Sequence, residues 1–313
     1  MEELKIALKK RAFELGFCEI GFARYERLDR EILTYLKWLE KGYSASMTYL
    51  EKNIDKRTDV KLILEDVRTV IVTAYPYLNK FKHSSNLFKI SRYAWGEDYH
   101  KVLLDKLKKL IEFIRNKSIG LRYKIYVDTG PILEKVWAIR AGIGWQGKNS
   151  LIISRNYGSF IFLGIILTNV EFEPDKPLKD YCGTCTKCIE SCPTNAIVQP
   201  KVIDSRKCIS YWTIEAKPDY EIPQSINLNG WIFGCDICQE VCPWNKKVKL
   251  SDEIAFYPRF NQTNLDKKFL EELTSEKFKE RFKGSPIKRA KYEGLRRNFF
   301  HILKSYEKEQ ISL

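Results

Sequence analysis

Cys182-Gly-Thr-Cys185-Thr-Lys-Cys188-Ile-Glu-Ser-Cys192-Pro193 is the stretch on which the reading of this chain turns. Its spacing, C-x2-C-x2-C-x3-C-P, lets three thiolates wrap one iron–sulfur cube corner by corner. The fourth, set before a proline that turns the chain away, reaches a second cube. A shorter run follows at Cys235-Asp-Ile-Cys238-Gln-Glu-Val-Cys242-Pro243, one cysteine short of the full pattern, and the isolated Cys208 supplies the missing thiol. Four ligands then fall to each of two 4Fe-4S clusters: Cys182, Cys185, Cys188 and Cys242 on one, Cys192, Cys208, Cys235 and Cys238 on the other. The competing reading is a pair of four-cysteine zinc sites, but these usually come as separated C-x2-C knuckles, which a tight triplet fits poorly. The ninth cysteine, Cys18, lies in the apolar setting Gly16-Phe17-Cys18-Glu19-Ile20 and reads as a small core residue.

On the N-terminal side of the run, the polar passage Glu171 to Lys179, with Pro174 and Pro177, reads as a linker. The residues before it alternate helical and strand signals. Leu4, Leu8, Ala12 and Leu15 recur at helical spacing, and Val67 to Tyr75 is a β-branched strand that stops at Pro76. Leu103, Leu107, Leu110, Ile111 and Ile114 mark one face of a long helix. Lys124 to Val127 reads as a short strand, and Pro131 as the start of a helix running through Trp137. Leu151 to Ser154 and Phe160 to Asn169 read as further strands. The expected fold is α+β in three parts: a catalytic domain over 1–172, a two-cluster ferredoxin-like domain over 173–247, and a charged helical segment over 248–313.

Charge and hydropathy narrow the function. The 313 residues carry a formal net charge of +14, which attracts polyanions such as nucleic acid, anionic lipid or phosphorylated cofactors. A generally lysine-rich proteome would produce the same balance, but the charge is unevenly placed. Lys283, Lys288, Arg289, Lys291, Arg296 and Arg297 fall in one stretch whose single acid is Glu293, which points to nucleic acid. No segment reaches the roughly 18 uninterrupted apolar residues needed to span a bilayer. The N-terminus has neither an apolar signal core nor a twin-arginine pair, so a cytoplasmic redox enzyme is expected.

Three features together resemble the epoxyqueuosine reductase family. They are Val127-Asp128-Thr129-Gly130-Pro131-Ile132-Leu133-Glu134-Lys135 followed by Gly144-Trp145-Gln146-Gly147-Lys148-Asn149, the eight-cysteine pattern with its isolated Cys208, and the basic tail from Gly284 to Asn298. The resemblance covers nearly the whole chain. It implies an oxidoreductase that removes the epoxide oxygen of epoxyqueuosine at the wobble position of tRNA, using cob(I)alamin fed by the two clusters. It also implies an N-terminal corrinoid-binding domain like that of reductive dehalogenases. The expected partners are tRNA bearing epoxyqueuosine and a low-potential electron donor, with no membrane, and the protein is expected to be a monomer. Small-molecule corrinoid reduction and simple electron transfer are the alternatives. Some members carry a further C-terminal helical-repeat domain that this sequence lacks, so part of the tRNA grip is expected to be arranged differently.

The resemblance also assigns residues. Asp128 matches the proton donor, and a carboxylic acid donates near neutral pH only if burial raises its pKa. Asp-Thr-Gly-Pro is also good turn chemistry, so Asp128 could instead cap the helix after it. For the corrinoid, Arg57, Ile152 and Leu163 match contacts, with the two apolar residues reading equally well as core. Ser91 stands where some relatives place a cysteine near cobalt. Lys288, Arg289, Arg296 and Arg297 are the expected phosphate contacts, and Tyr211, with Trp212, is the aromatic that could stack on an extruded base. Asp98-Tyr99-His100 begins like a cobalt-histidine signature but has Leu103 in place of the required glycine, so no histidine ligand is expected.

Overall fold

A computed structural model describes residues 1–84 and 88–311. The first half runs α1 (Glu2–Glu14), β1 (Glu19–Arg24), α2 (Asp29–Glu40), α3 (Ile54–Thr58), β2 (Thr69–Pro76), β3 (Lys89–Ile90) and α4 (Tyr99–Arg115). It continues through β4 (Tyr123–Tyr126), α5 (Glu134–Arg140), β5 (Trp145–Gln146), β6 (Ile152–Ile153) and β7 (Ile161–Thr168). Four of these strands make one antiparallel sheet in the order β1-β2-β7-β4. Successive side chains point to opposite faces, so each strand splits its apolar residues between two layers. Ile71, Tyr75 and Ile166 meet Leu8, Leu103, Leu107 and Leu110 from α1 and α4. Val70, Val72, Ala74, Ile165 and Leu167 meet Trp137 and Ala138 of α5 on the other side. Cys18 packs in that second layer, with its thiol 3.3 Å from the Ala74 carbonyl. The end of α5 lies so close to β1 that a Cβ on Gly21 would fall 1.9 Å from the Ala141 carbonyl oxygen.

The second half carries α6 (Lys187–Glu190), β8 (Ile197–Gln199), β9 (Val202–Ile203), β10 (Trp231–Phe233), α7 (Ile237–Glu240), α8 (Lys267–Glu271), α9 (Ser275–Arg281) and α10 (Lys291–Ile311). It does not pack alone. β3 pairs in parallel with β10, and Phe88, Ile90 and Trp95 join the core built from Trp231, Phe233, Phe282 and Phe299. This crossing brings the segment 88–100 against the loop that carries Cys235 and Cys238.

One local expectation needs correcting. The helix expected from Pro131 begins at Glu134, with Leu133 before it and no side-chain cap. Asp128 lies too far upstream to cap it. The residues between form a turn in which Asp128 itself adopts a left-handed backbone, φ 60°.

Candidate active site and cluster sites

Two sets of four thiols are brought together by the fold. Cys182, Cys185, Cys188 and Cys242 line a cavity of about 200 Å³, whose other walls include Lys148, Tyr181 and Trp244. No histidine or carboxylate lines it, so the donors are soft sulfur alone, which suits iron–sulfur ligation. Cys192, Cys208, Cys235 and Cys238 line a second and much larger cavity. The one-turn helices α6 and α7 each carry a cysteine of a C-x2-C pair, and chain reversal at Pro193 and Pro243 sends the last cysteine of each run to the other set. Burial raises the Cys208, Cys235 and Cys238 thiols above their ordinary values, so coordination by iron, with its positive charge, would have to draw off their protons.

The large cavity measures about 1700 Å³. That exceeds the roughly 300–1,000 Å³ of a pocket for a drug-sized ligand, leaving room for a macrocyclic cofactor together with substrate. Tyr35, Trp38, Tyr77, Tyr99 and Phe162 give it apolar walls, and Arg57, Lys52 and Lys201 add cationic ones. This mixture fits an amphipathic corrinoid, and the Cys192, Cys208, Cys235 and Cys238 thiols lie in the same walls.

Asp128 projects into this cavity from the end of β4, with 64% of its side chain accessible. Glu134 Oε1 accepts a 2.7 Å hydrogen bond from the Asp128 amide, and the Tyr99 hydroxyl donates to Asp128 Oδ2 at 3.1 Å. These contacts hold the left-handed backbone that a non-glycine residue adopts only at a cost in strain. His100 completes the group. Its Nδ1 lies 2.7 Å from Asp98 Oδ1, while its Nε2 is 3.5 Å from Asp128 Oδ2, an ion-pair distance too long for a well-formed hydrogen bond.

The electrostatics invert the expectation for Asp128. The His100 imidazolium, helped by the Tyr99 hydroxyl and Lys135, outweighs burial and holds the carboxyl below its ordinary value. Burial alone would lower the His100 pKa, but Asp128 and Asp98 together raise it to about 9. Burial, reinforced by the Asp128 charge, pushes Glu134 up to about 8. At neutral pH the protons therefore sit on His100 and Glu134, on either side of an ionised Asp128. The side chain is open to the cavity, so it escapes the full desolvation that would raise its pKa.

The remaining expected site residues divide. Arg57 lines the cavity, stacks 5.9 Å from the Tyr35 ring and donates to the carbonyls of Lys52 and Tyr49. Ser91 also lines it, but its hydroxyl donates at 2.7 Å to Asp236 Oδ1, a fully buried carboxylate. Ile152 and Leu163 belong to the layer packed on α5, and the cavity wall is formed by their neighbours Leu151, Ile161 and Phe162. Lys288 and Arg289 line the cavity from the turn Pro286–Ala290, with Arg289 paired to Glu215 at 2.7 Å. Arg296 is exposed on α10.

Three expectations for tRNA contact are overturned. Tyr211 and Trp212 are buried in the C-terminal core, and their polar atoms are occupied by Ser46 and by the Arg206 carbonyl. No face remains for an extruded base. Arg297 donates to the carbonyls of Trp212, Ala216, Lys217 and Tyr220, so its guanidinium fastens the turn after Tyr211. Nothing in the sequence marked Tyr99, Glu134 and Asp236 as members of the site, whereas His100 lies where its place in the sequence suggests, in the first turn of α4 and in the cavity wall. Asp98-Tyr99-His100 was visible as a polar triplet at a helix start, but nothing local placed it against Asp128.

Known proteins match along nearly the whole chain. Residues 181–245 match the profile of the 4Fe-4S double cluster binding domain, and residues 57–129 that of Epoxyqueuosine reductase QueG, DUF1730. The epoxyqueuosine reductase of Atelocyanobacterium thalassa is 45% identical over 300 residues, covering 93% of this chain and 96% of that one. That of Cellulophaga algicola is 42% identical over 293 residues, covering 93% and 95%. A crystal structure of epoxyqueuosine reductase with an epoxyqueuosine-modified tRNA-Tyr stem loop superposes with a TM-score of 0.90 at 31% identity, covering 99% of this chain and 83% of that one. The Bacillus subtilis enzyme gives 0.89 at 30%, with the same coverage.

Proposed function

The chain belongs to the epoxyqueuosine reductase family, and from that membership we propose that it reduces epoxyqueuosine in tRNA to queuosine in the large cavity around Asp128. The observation that carries the reading is that Asp128 and four cysteines of the double-cluster domain line one cavity. Removing the epoxide oxygen to leave an alkene consumes two electrons and two protons and releases water. Bound cobalamin would supply the nucleophilic metal centre, recharged by electrons passing through the two 4Fe-4S clusters.

The protein's own groups handle the protons. In this reading Asp128 hands a proton to the departing oxygen, His100 replaces it and Glu134 holds the second, a division supported by the contacts of His100 and Glu134 with Asp128. When corrinoid and nucleotide fill the cavity they displace water from Asp128, which raises the proton affinity of its carboxylate toward that of His100. Arg57 and the aromatic walls hold the cofactor, with Ser91 holding the loop of Cys235 and Cys238 beside it. Cys182, Cys185, Cys188 and Cys242 ligate one cluster, and Cys192, Cys208, Cys235 and Cys238 the other. Lys288, Arg289 and Arg296 meet tRNA phosphates, and a low-potential donor feeds the cluster farther from the cavity. No helix among the described residues is long and apolar enough to cross a membrane. The reading places the enzyme in the cytoplasm, as a monomer.

The test uses anaerobically reconstituted protein with iron, sulfide, cobalamin, a strong chemical reductant and tRNA carrying epoxyqueuosine. Mass measurement of the digested nucleosides should show loss of one oxygen, and Asp128→Ala should slow it by about 10²- to 10⁴-fold. No conversion with clusters and cobalamin bound would sink the tRNA reading in favour of a small-molecule substrate.

A further inference from the structure

The two thiol sets differ in what surrounds them. Cys192, Cys208, Cys235 and Cys238 face the reaction cavity, whereas Cys182, Cys185, Cys188 and Cys242 line a separate small one. Beside that small cavity Trp145, Tyr181 and Trp244 pack together, with ring centroids 4.8 to 6.0 Å apart. Tyr181 is exposed, and Arg155 lies 4.8 Å over its ring.

The surrounding charge is predominantly positive. The bracketing stretches 179–190 and 243–249 carry five lysines against two acids. Both acids have partners: Asp180 pairs with Lys201 at 2.7 Å, and Glu190 accepts from the Thr186 hydroxyl. Lys187 stands exposed between two of the ligating cysteines, and Lys246 and Lys247 stand exposed just after Trp244. An exposed tyrosine beside a half-exposed tryptophan, backed by the buried Trp145 and rimmed by charge, is the composition of a docking face.

We propose that this lysine-rimmed aromatic face docks a small acidic one-electron carrier protein, which reduces the cluster held by Cys182, Cys185, Cys188 and Cys242. The inference rests on the cluster assignment proposed above. Each docking oxidises the carrier by one electron and reduces the cluster by one, so two dockings supply the two electrons that the epoxide consumes with its two protons. Redox encounters of this kind use small interfaces, with charge complementarity setting the approach rate more than lasting affinity. A polyanion such as tRNA could also answer to the lysines. The aromatic patch beside the cluster and the separate basic wall of the reaction cavity, formed by Lys288 and Arg289, favour a protein here.

The probe is an acidic plant-type [2Fe-2S] ferredoxin, titrated in its oxidised form against the cluster-loaded enzyme at about 50 mM and about 300 mM salt. Lys246→Glu/Lys247→Glu should weaken binding at low salt roughly tenfold or more and flatten its salt dependence. Lys109→Glu/Lys117→Glu, the same change of charge at exposed positions on and just after α4, should move it less than about twofold. Equal losses in the two pairs, or no loss in the first, would overturn the proposal, as would displacement of ferredoxin by unmodified tRNA. Parent enzyme reduced by titanium(III) citrate separates the two readings. Absence of product there faults the reaction, whereas product there without ferredoxin binding faults only the docking face.

Discussion

His100 Nε2 stands 3.5 Å from Asp128 Oδ2 in the wall of the large cavity, a contact made by residues 28 positions apart on α4 and after β4. It gives His100 an ionisation that burial would deny it and deepens that of Asp128. Burial would leave His100 neutral, yet its two carboxylate neighbours raise it to about 9, and in return Asp128 is kept ionised.

Stability should report this pair through pH. The folded His100 pKa lies above the ordinary 6.5, so its contribution is fully present below about 6.5 and disappears as pH rises through about 9. Asp128 and Asp98 are shifted down, so their share is present above their ordinary value of 3.8 and lost as pH falls through the folded values. The difference in melting temperature between parent and His100→Gln should therefore be widest between these limits and close toward pH 9. A difference independent of pH over that range would refute the ion pair. In turnover, His100→Gln should cost roughly ten- to a hundredfold in kcat with cobalamin still bound, since a proton supply rather than a binding contact is removed.

Iron content should separate the thiols into their sets. Cys242→Ala should lose the same cluster as Cys182→Ala, although 60 positions separate the two residues, and Cys208→Ala should lose the other. Each variant should retain about half the iron, with the remaining cluster visible by electron paramagnetic resonance. Loss of Cys242 and Cys192 from one and the same cluster would contradict the crossed arrangement.

Two arginines of the basic tail should behave oppositely. Arg297→Ala frees four backbone carbonyls and should lower unfolding stability by about 2–4 kcal/mol, leaving the salt dependence of tRNA binding unchanged. Arg289→Ala should leave stability within about 1 kcal/mol, because its Glu215 partner is an ion pair with an exposed member. It should instead weaken tRNA binding and reduce the logarithmic salt slope by about one. Denaturant titration and binding at several salt concentrations distinguish the pair.

Ser91→Ala removes one of the hydrogen bonds that support the buried Asp236 carboxylate, leaving those from the Arg92 amide and Gln239. Asp236 lies between Cys235 and Cys238, so the loss should destabilise the fold by about 1–3 kcal/mol and shift the potential of the cluster beside the cavity. A change confined to the cobalamin spectrum, with cluster potential and stability untouched, would instead mark Ser91 as a direct cofactor contact.

What the sequence determined by itself were features whose physics is local. Cysteine spacing dictates which thiols one short stretch can aim at a cube, and the crossed pairing at Cys-Pro follows from the turn the proline enforces. Continuous β-branched and apolar runs at Val70 to Ala74 and Ile165 to Leu167 mark strands covered on both faces, and helical spacing from Leu103 to Ile114 marks the one face its helix must bury. Tertiary structure alone decided which polar groups meet. Tyr211, Trp212 and Arg297 have the composition of an RNA-binding surface, yet other parts of the chain cover them, and coverage leaves no periodic trace. Ile152 and Leu163 fell beside the cavity rather than in its wall, which Leu151, Ile161 and Phe162 form instead, one or two positions away along the chain. Asp128, His100 and Glu134 meet because the chain after β4, the start of α4 and the start of α5 come together in the wall of the large cavity. A pKa depends on distances in space, and the sequence records only distances along the chain.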